Sequence, residues 1–98
     1  MPAYVISEVQ VLDEQRADAY RQAAAASIAQ YGGRYLARGV RPEAVEGGWP
    51  DGRRIVIVEF PSMAAARQWY NSPEYAEALT IRRDALDRRL LFIDGPPD

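Results

Sequence analysis

Apolar and polar positions alternate with period two over residues 3–12, AYVISEVQVL. That pattern predicts a strand with Val5, Ser7, Val9 and Val11 on one face and Tyr4, Ile6, Glu8 and Gln10 on the other. Asp13 is placed to cap a following helix, and Glu14 complements the dipole of its first turn. Over residues 14–31 the period changes: Ala17, Tyr20, Ala24, Ile28 and Tyr31 recur at the spacing of one helix face. The run Ala23-Ala24-Ala25-Ala26 favours helix, and its small side chains permit close packing on a sheet. Gly32-Gly33 ends the helix.

Residues 34–40, RYLARGV, predict a short second strand. Arg41-Pro42 leads to Glu43-Ala44-Val45-Glu46, which reads as a short extra strand, and residues 47–52 carry the Gly, Pro and Asp of a turn. Residues 54–60, RIVIVEF, predict the third strand. Both of its faces are apolar, with Ile55 and Ile57 on one and Val56, Val58 and Phe60 on the other. Such a strand belongs inside a sheet covered on both sides. The chain has helix enough for one side, so a second copy of the sheet is the simplest cover for the other.

Ser62 is placed to cap a helix over residues 63–70, with Ala66, Trp69 and Tyr70 toward its inner face. Asn71-Ser72-Pro73 interrupts it. Ser72 suits an N-cap and Pro73 the first helical position, so a third helical segment begins there. Ala76, Leu79, Arg83 and Leu86 follow helical spacing along it. Residues 88–94, RRLLFID, predict the last strand, and Gly95-Pro96-Pro97-Asp98 a tail.

This order, strand–helix–strand–strand–helix–strand, defines one α+β domain over residues 1–98 with the ferredoxin-like βαββαβ layout. The expected antiparallel sheet has order 4-1-3-2, with the helices on one face and strands one and three as parallel central neighbours. The open face is left for a partner. A 98-residue chain buries about two-thirds of the surface its unfolded form exposes, which supports one modest core.

Composition narrows the chemistry. There is no His, Cys or Lys, and all 12 basic residues are Arg. Ser-His triads, Cys nucleophiles, Schiff-base lysines and His or Cys metal sites are excluded within one chain. Asp, Glu and Tyr remain for proton chemistry, with Arg as a fixed cation. No ligand spacing announces a metal site, and no cofactor is expected. The net charge of −2, with signs interspersed, argues against a nucleic-acid partner. No stretch approaches the roughly 20 apolar residues of a membrane span, and the N-terminus lacks the pattern of a signal peptide. A cytoplasmic location is the corresponding expectation.

Several segments together carry a resemblance: Tyr31-Gly32-Gly33-Arg34-Tyr35, Arg38-Gly39, Glu46-Gly47-Gly48-Trp49, residues 54–62 and Trp69-Tyr70-Asn71-Ser72-Pro73-Glu74-Tyr75. Over nearly its whole length the chain resembles the domain-of-unknown-function family 1330, within the dimeric α/β-barrel superfamily. Val40 stands where that family's pattern has a second glycine. The resemblance implies two sheets packed face to face in a dimeric barrel, and no assigned reaction. The wider superfamily includes cofactor-free monooxygenases, small-ring isomerases and haem enzymes. Haem is disfavoured here because there is no His or Cys to bind iron.

Six residues are candidates for a ligand site. Glu8 and Glu59 interrupt apolar central strands and are expected on one face, where Arg38 could join them, since a buried carboxylate must be paired or protonated. The alternative is a structural ion pair near the strand ends or at the dimer seam. Arg54, with Arg38-Gly39, could hold a carboxylate, or could pair with Glu46 across the hairpin. Trp49 reads as a lid or a plug in the dimer seam. Tyr75 could offer a hydroxyl, although aromatics at helical spacing more often form core. Arg82-Arg83 and Arg88-Arg89 read as a solvated helix face and a strand start.

Three functions follow from these readings. The first is a homodimer that binds a small organic acid or carbonyl compound beside the sheet, or acts on it as a cofactor-free enzyme with Glu8, Glu59 or Tyr75 carrying protons and Arg38 as the anchor. The second is a non-catalytic dimeric module. The third, RNA binding, is disfavoured by Ile55 and Ile57 at positions where that fold stacks bases on aromatics.

Overall fold

The computed structural model describes residues 1–95. The chain runs β1 (Ala3–Val11), α1 (Glu14–Gln30), β2 (Arg34–Val40), β3 (Arg54–Phe60), α2 (Met63–Tyr70), α3 (Pro73–Ala85) and β4 (Leu86–Asp94). Each helix starts where a short polar side chain receives a backbone N–H. Asp13 accepts from Arg16 N at 3.1 Å, Ser62 from Ala65 N at 3.1 Å, and Ser72 from Tyr75 N at 3.1 Å. The Ser72 hydroxyl also donates to the Trp69 carbonyl at 2.7 Å, so one buried serine closes α2 and opens α3. Gly33 follows α1 where its backbone passes the core: a Cβ there would lie 2.8 Å from the Phe60 ring and 2.7 Å from Ile28, so no larger residue fits without movement.

The four strands form one sheet in the order β2-β3-β1-β4, which is the expected 4-1-3-2 read from the other edge. This is the ferredoxin-like layout. The expected parallel pairing of strands one and three is corrected: β1 runs antiparallel to both β3 and β4. Each βαβ crossover skips one strand, so the parallel partners are β1 with β2 and β3 with β4, and direct neighbours alternate. Two further expectations are corrected. Residues 43–46 form no strand, because the chain there runs with no neighbouring strand to pair with. β4 begins at Leu86, not residue 88, and α3 buries Tyr75, Ala78 and Ala85 in place of Ala76, Arg83 and a helical Leu86.

All three helices cover one face of the sheet, where Val5, Val9, Val58 and Phe60 meet Ala24, Ile28, Ala66 and Trp69. Trp69 is the hub. Its ring centroid lies 4.1 Å from that of Tyr75 and 5.3 Å from that of Phe60, and its indole N–H donates to Ser27 at 3.0 Å. The opposite face carries no helix. Tyr4, Ile6, Ile55 and Ile57 lie along its centre, flanked by Leu36 (50% exposed), Val40 (47%), Leu91 (39%) and Ile93 (44%). No helix of the described residues is long and apolar enough to cross a membrane.

Candidate functional site

The inner face of α1 sets the small Ala17, Ala24 and Ser27 among Tyr20 and Ile28, and the facing positions of β1 are Val5, Ser7 and Val9. Small side chains on both sides leave space between helix and sheet. A cavity of about 260 Å³ fills it, with Ser7, Val9, Val56 and Leu90 on the floor and Tyr20, Ala24 and Ile28 as the roof. Its size lies just below the usual range of small-molecule sites, about 300–1,000 Å³.

Arginines surround this apolar space. In the sheet register Val9 is paired with Arg54 on one side and with Arg88 on the other. Adjacent strands lie about 4.8 Å apart, so the two arginines flank the floor about 10 Å from one another. In the next row Arg38 stands beside Val56, which pairs with Ser7. Arg21 lines the cavity and is paired with Asp18 at 2.6 Å; the other arginines of the lining are Arg38, Arg54 and Arg88. Among the described residues none of the three has a carboxylate within ion-pair distance, and no carboxylate lines the space.

Arg38 reaches this face through an irregularity in β2. The pairing with β3 shifts register between Tyr35 and Ala37 and again between Arg38 and Val40. Gly39 sits between the last two with a φ of 69°, a left-handed conformation that suits glycine. Both Tyr35 and Arg38 are thereby turned toward the helices, and the guanidinium lies 4.4 Å from the Tyr35 ring centroid. Burial raises the Tyr35 phenol above its ordinary value, with Arg38 opposing.

Arg88 closes the other end. Its Nη1 donates to the Tyr20 hydroxyl at 2.7 Å and its Nη2 to the Tyr75 hydroxyl at 2.8 Å, and the two hydroxyls are 2.6 Å apart. Burial, followed by the neighbouring Tyr20, holds the Tyr75 phenol far above its ordinary value, so it stays neutral. For Arg88, burial alone would favour loss of charge, but the two phenols outweigh it and raise its value. On the floor the Ser7 hydroxyl, in a residue only 5% exposed, has no hydrogen-bond partner among the described residues. A buried polar group without a partner costs about 1–3 kcal/mol, so it calls for an explanation.

The six sequence candidates divide between the two faces. Arg38 and Arg54 line the cavity; Arg54 Nη1 lies 3.4 Å from the Gly39 carbonyl, and the expected pairing with Glu46 does not form. Tyr75 is fully buried behind the cavity wall. Glu8 and Glu59 do share a face, but it is the open one. Their partners are Arg89 and Arg34, each at 2.7 Å. The expectation that Arg38 joins them is corrected, because the bulge at Gly39 turns Arg38 to the other side. Trp49 lies in the β2–β3 loop with its indole N–H on the Arg53 carbonyl at 3.0 Å, away from the cavity lining. Arg88, Tyr20 and Ser7 were not singled out from the sequence. Ser7 had a readable signal, being the one polar residue on the inward face of β1. Arg88 had none, because both faces of β4 are apolar beyond it.

With four antiparallel strands under one layer of helices, the protein has the ferredoxin-like fold. The chain belongs to the domain of unknown function family DUF1330, whose model matches residues 2–96. No protein of curated function matches it. Among solved structures it is similar to a protein of unknown function from Rhodopseudomonas palustris, with 21% identity, 99% of this chain and 84% of that chain covered, and a TM-score of 0.79. SnoaB, a cofactor-independent oxygenase from Streptomyces nogalater, shares 14% identity over 99% of this chain and 95% of that one, with a TM-score of 0.67. A dimeric protein of unknown function and ferredoxin-like fold from Bacteroides fragilis shares 14% identity over 96% of both chains, with a TM-score of 0.65. At these identities the likeness speaks to fold alone.

Proposed function

We propose that this chain binds a small, mainly apolar organic acid in the cavity between sheet and α1. The observation that carries this reading is that three of the four arginines lining an apolar space, Arg38, Arg54 and Arg88, have no carboxylate partner among the described residues, and that no carboxylate lines the space. Arg88 is half-buried, whereas Arg38 and Arg54 are exposed at the edge of the space; a cation bordering a low-dielectric space attracts a carboxylate more strongly than one in open water. Arg88 uses two of its five N–H donors on phenol oxygens, and Arg38 and Arg54 stand at the opposite side. A ligand carboxylate would supply the missing negative charge through a two-pronged hydrogen bond. Binding is favoured over proton-abstracting catalysis because Glu8 and Glu59, the carboxylates best placed in the sequence to act as bases, face the other side of the sheet.

The working form in this reading is a homodimer joined through the open sheet face. Its support is the contiguous row of partly exposed Leu36, Val40, Leu91 and Ile93 around Ile55 and Ile57, an apolar surface larger than isolated exposed residues would make. The description of the Bacteroides fragilis protein as dimeric accords with it.

Thermal shift with pentanoate and para-ethylbenzoate tests the binding. At about a hundred times its dissociation constant a ligand adds roughly 2.7 kcal/mol, enough to raise the melting temperature by several degrees. The rise is expected in the native chain and reduced in Arg38→Ala; no rise with any small organic acid overturns the reading. Sedimentation at micromolar concentration tests the dimer, and a monomer there refutes it.

A further inference from the structure

The hydroxyl pair at Arg88 has a hydrogen to spare, and burial decides which residue holds it. Tyr20 and Tyr75 have two hydroxyl hydrogens between them. One lies in the 2.6 Å bond that joins the two oxygens. Both oxygens also accept from Arg88. The remaining hydrogen belongs to whichever tyrosine accepts from the other. If that were Tyr75, its donor would be left without a partner in a side chain with no exposed surface. If it is Tyr20, the hydrogen sits on a residue that lines the cavity. The second arrangement puts the spare hydrogen on the residue that borders the cavity, where a bound molecule can receive it, and hydroxyl hydrogens settle where they can be satisfied. That arrangement has Tyr75 donating to Tyr20 and leaves the Tyr20 hydrogen for the cavity side, with the Tyr20 oxygen accepting from both Arg88 and Tyr75.

We infer that the Tyr20 hydroxyl is a dedicated donor to a second oxygen on the ligand, so that the preferred acid carries an oxo group at the end opposite its carboxylate. This deepens the organic-acid reading and rests on it. The carboxylate belongs at Arg38 and Arg54. The oxo group belongs on the β4 side of the floor, where Arg88 reaches Tyr20. A carbonyl oxygen only accepts, which matches a site whose remaining group is a donor. The bond from Arg88 makes that donor stronger than an isolated phenol, because a hydroxyl already accepting from a cation is polarised. Ser7, on the floor between the two ends, can either donate or accept and so does not discriminate.

Two pairs of acids, measured by titration calorimetry, test this. Para-acetylbenzoate and para-ethylbenzoate differ by a carbonyl in place of a methylene, as do levulinate and pentanoate. The native protein is expected to prefer the oxo member of at least one pair by about tenfold, the worth of one well-placed hydrogen bond to a buried donor. Tyr20→Phe should bring that ratio close to one. Tyr75→Phe, which keeps the Arg88–Tyr20 contact, should retain the preference. Arg38→Ala should weaken both members of a pair alike. Plain acids that bind as tightly as their oxo partners in the native protein overturn the inference and leave the organic-acid reading standing. That ratio needs no variant, so it decides even if Tyr20→Phe fails to fold. A preference that survives in a folded Tyr20→Phe overturns it too. If no acid of either pair binds, the organic-acid reading fails and this inference falls with it.

Discussion

On the open face of the sheet each carboxylate has its arginine: Glu8 bonds Arg89 and Glu59 bonds Arg34, both at 2.7 Å. On the covered face Arg38, Arg54 and Arg88 border an apolar cavity with no carboxylate among the described residues that line it. The same residue type thus serves two ends. Where Glu and Arg are neighbours across strands, charge is neutralised within the chain and the surface becomes fit to meet another surface. Where the register sets arginine beside valine, the positive charge has no carboxylate partner among the described residues and is met by neutral oxygens or an aromatic ring. The comparison teaches that arginine count says little, and that pairing across the register decides whether an arginine is structural or available.

The largest effect should separate the faces as core and surface. Phe60 is fully buried on the covered face, whereas Leu91 on the open face is 39% exposed. Phe60→Ala is expected to cost about 3–5 kcal/mol in urea unfolding, and Leu91→Ala much less in the isolated chain. Equal losses would mean that the open face is as well packed as the core. Next, a charge at the centre of the open face should act on assembly and not on the fold. Ile57→Asp is expected to give monomers in sedimentation velocity with native circular dichroism. Dimers that persist would place the contact elsewhere.

A third prediction concerns alkali. The Tyr75 phenol is raised in the folded state, chiefly by burial. A raised group stabilises the fold fully below its unfolded value of about 10, and that contribution is lost as pH climbs from there through the folded value. Melting temperature should therefore fall above about pH 10, and the fall should be shallower in Tyr75→Phe. An unchanged slope would show that the covered-face phenol is not responsible. The smallest effect belongs to the open-face ion pairs. Arg34 and Arg89 keep 72% and 66% of their side-chain surface exposed, so Glu59→Gln or Glu8→Gln should cost about 0–1 kcal/mol. A loss of several kcal/mol would make these pairs part of the structure's core.

Much of the fold was legible because its signals are local. Asp13, Ser62 and Ser72 cap the helices that follow them, and the alternation in β1 assigns Val5 and Val9 to the core. The break at Asn71-Ser72-Pro73 was readable for the same reason: capping and proline geometry act within a few residues. The candidate site was legible only in part. Arg38 and Arg54 were found from their charge, but Arg38 was assigned to the wrong side of the sheet. Period-two reasoning carries parity along a strand, and the bulge at Gly39 breaks it.

The sequence by itself determined the elements, their order and the presence of one apolar sheet face too many for the helices available. Tertiary structure alone decided which face each charge occupies. In β3 and β4 both parities are apolar, so nothing local tells which parity meets the helices. That choice is made when β1 pairs antiparallel with β3 on one side and β4 on the other, setting Arg54 and Arg88 on either side of Val9. The Tyr20–Tyr75–Arg88 cluster joins α1, α3 and β4 across separations of up to 68 residues, and such contacts exist only once the helices have packed on the sheet. Alternation and capping are properties of neighbours in sequence; the cavity and its arginines are properties of neighbours in space.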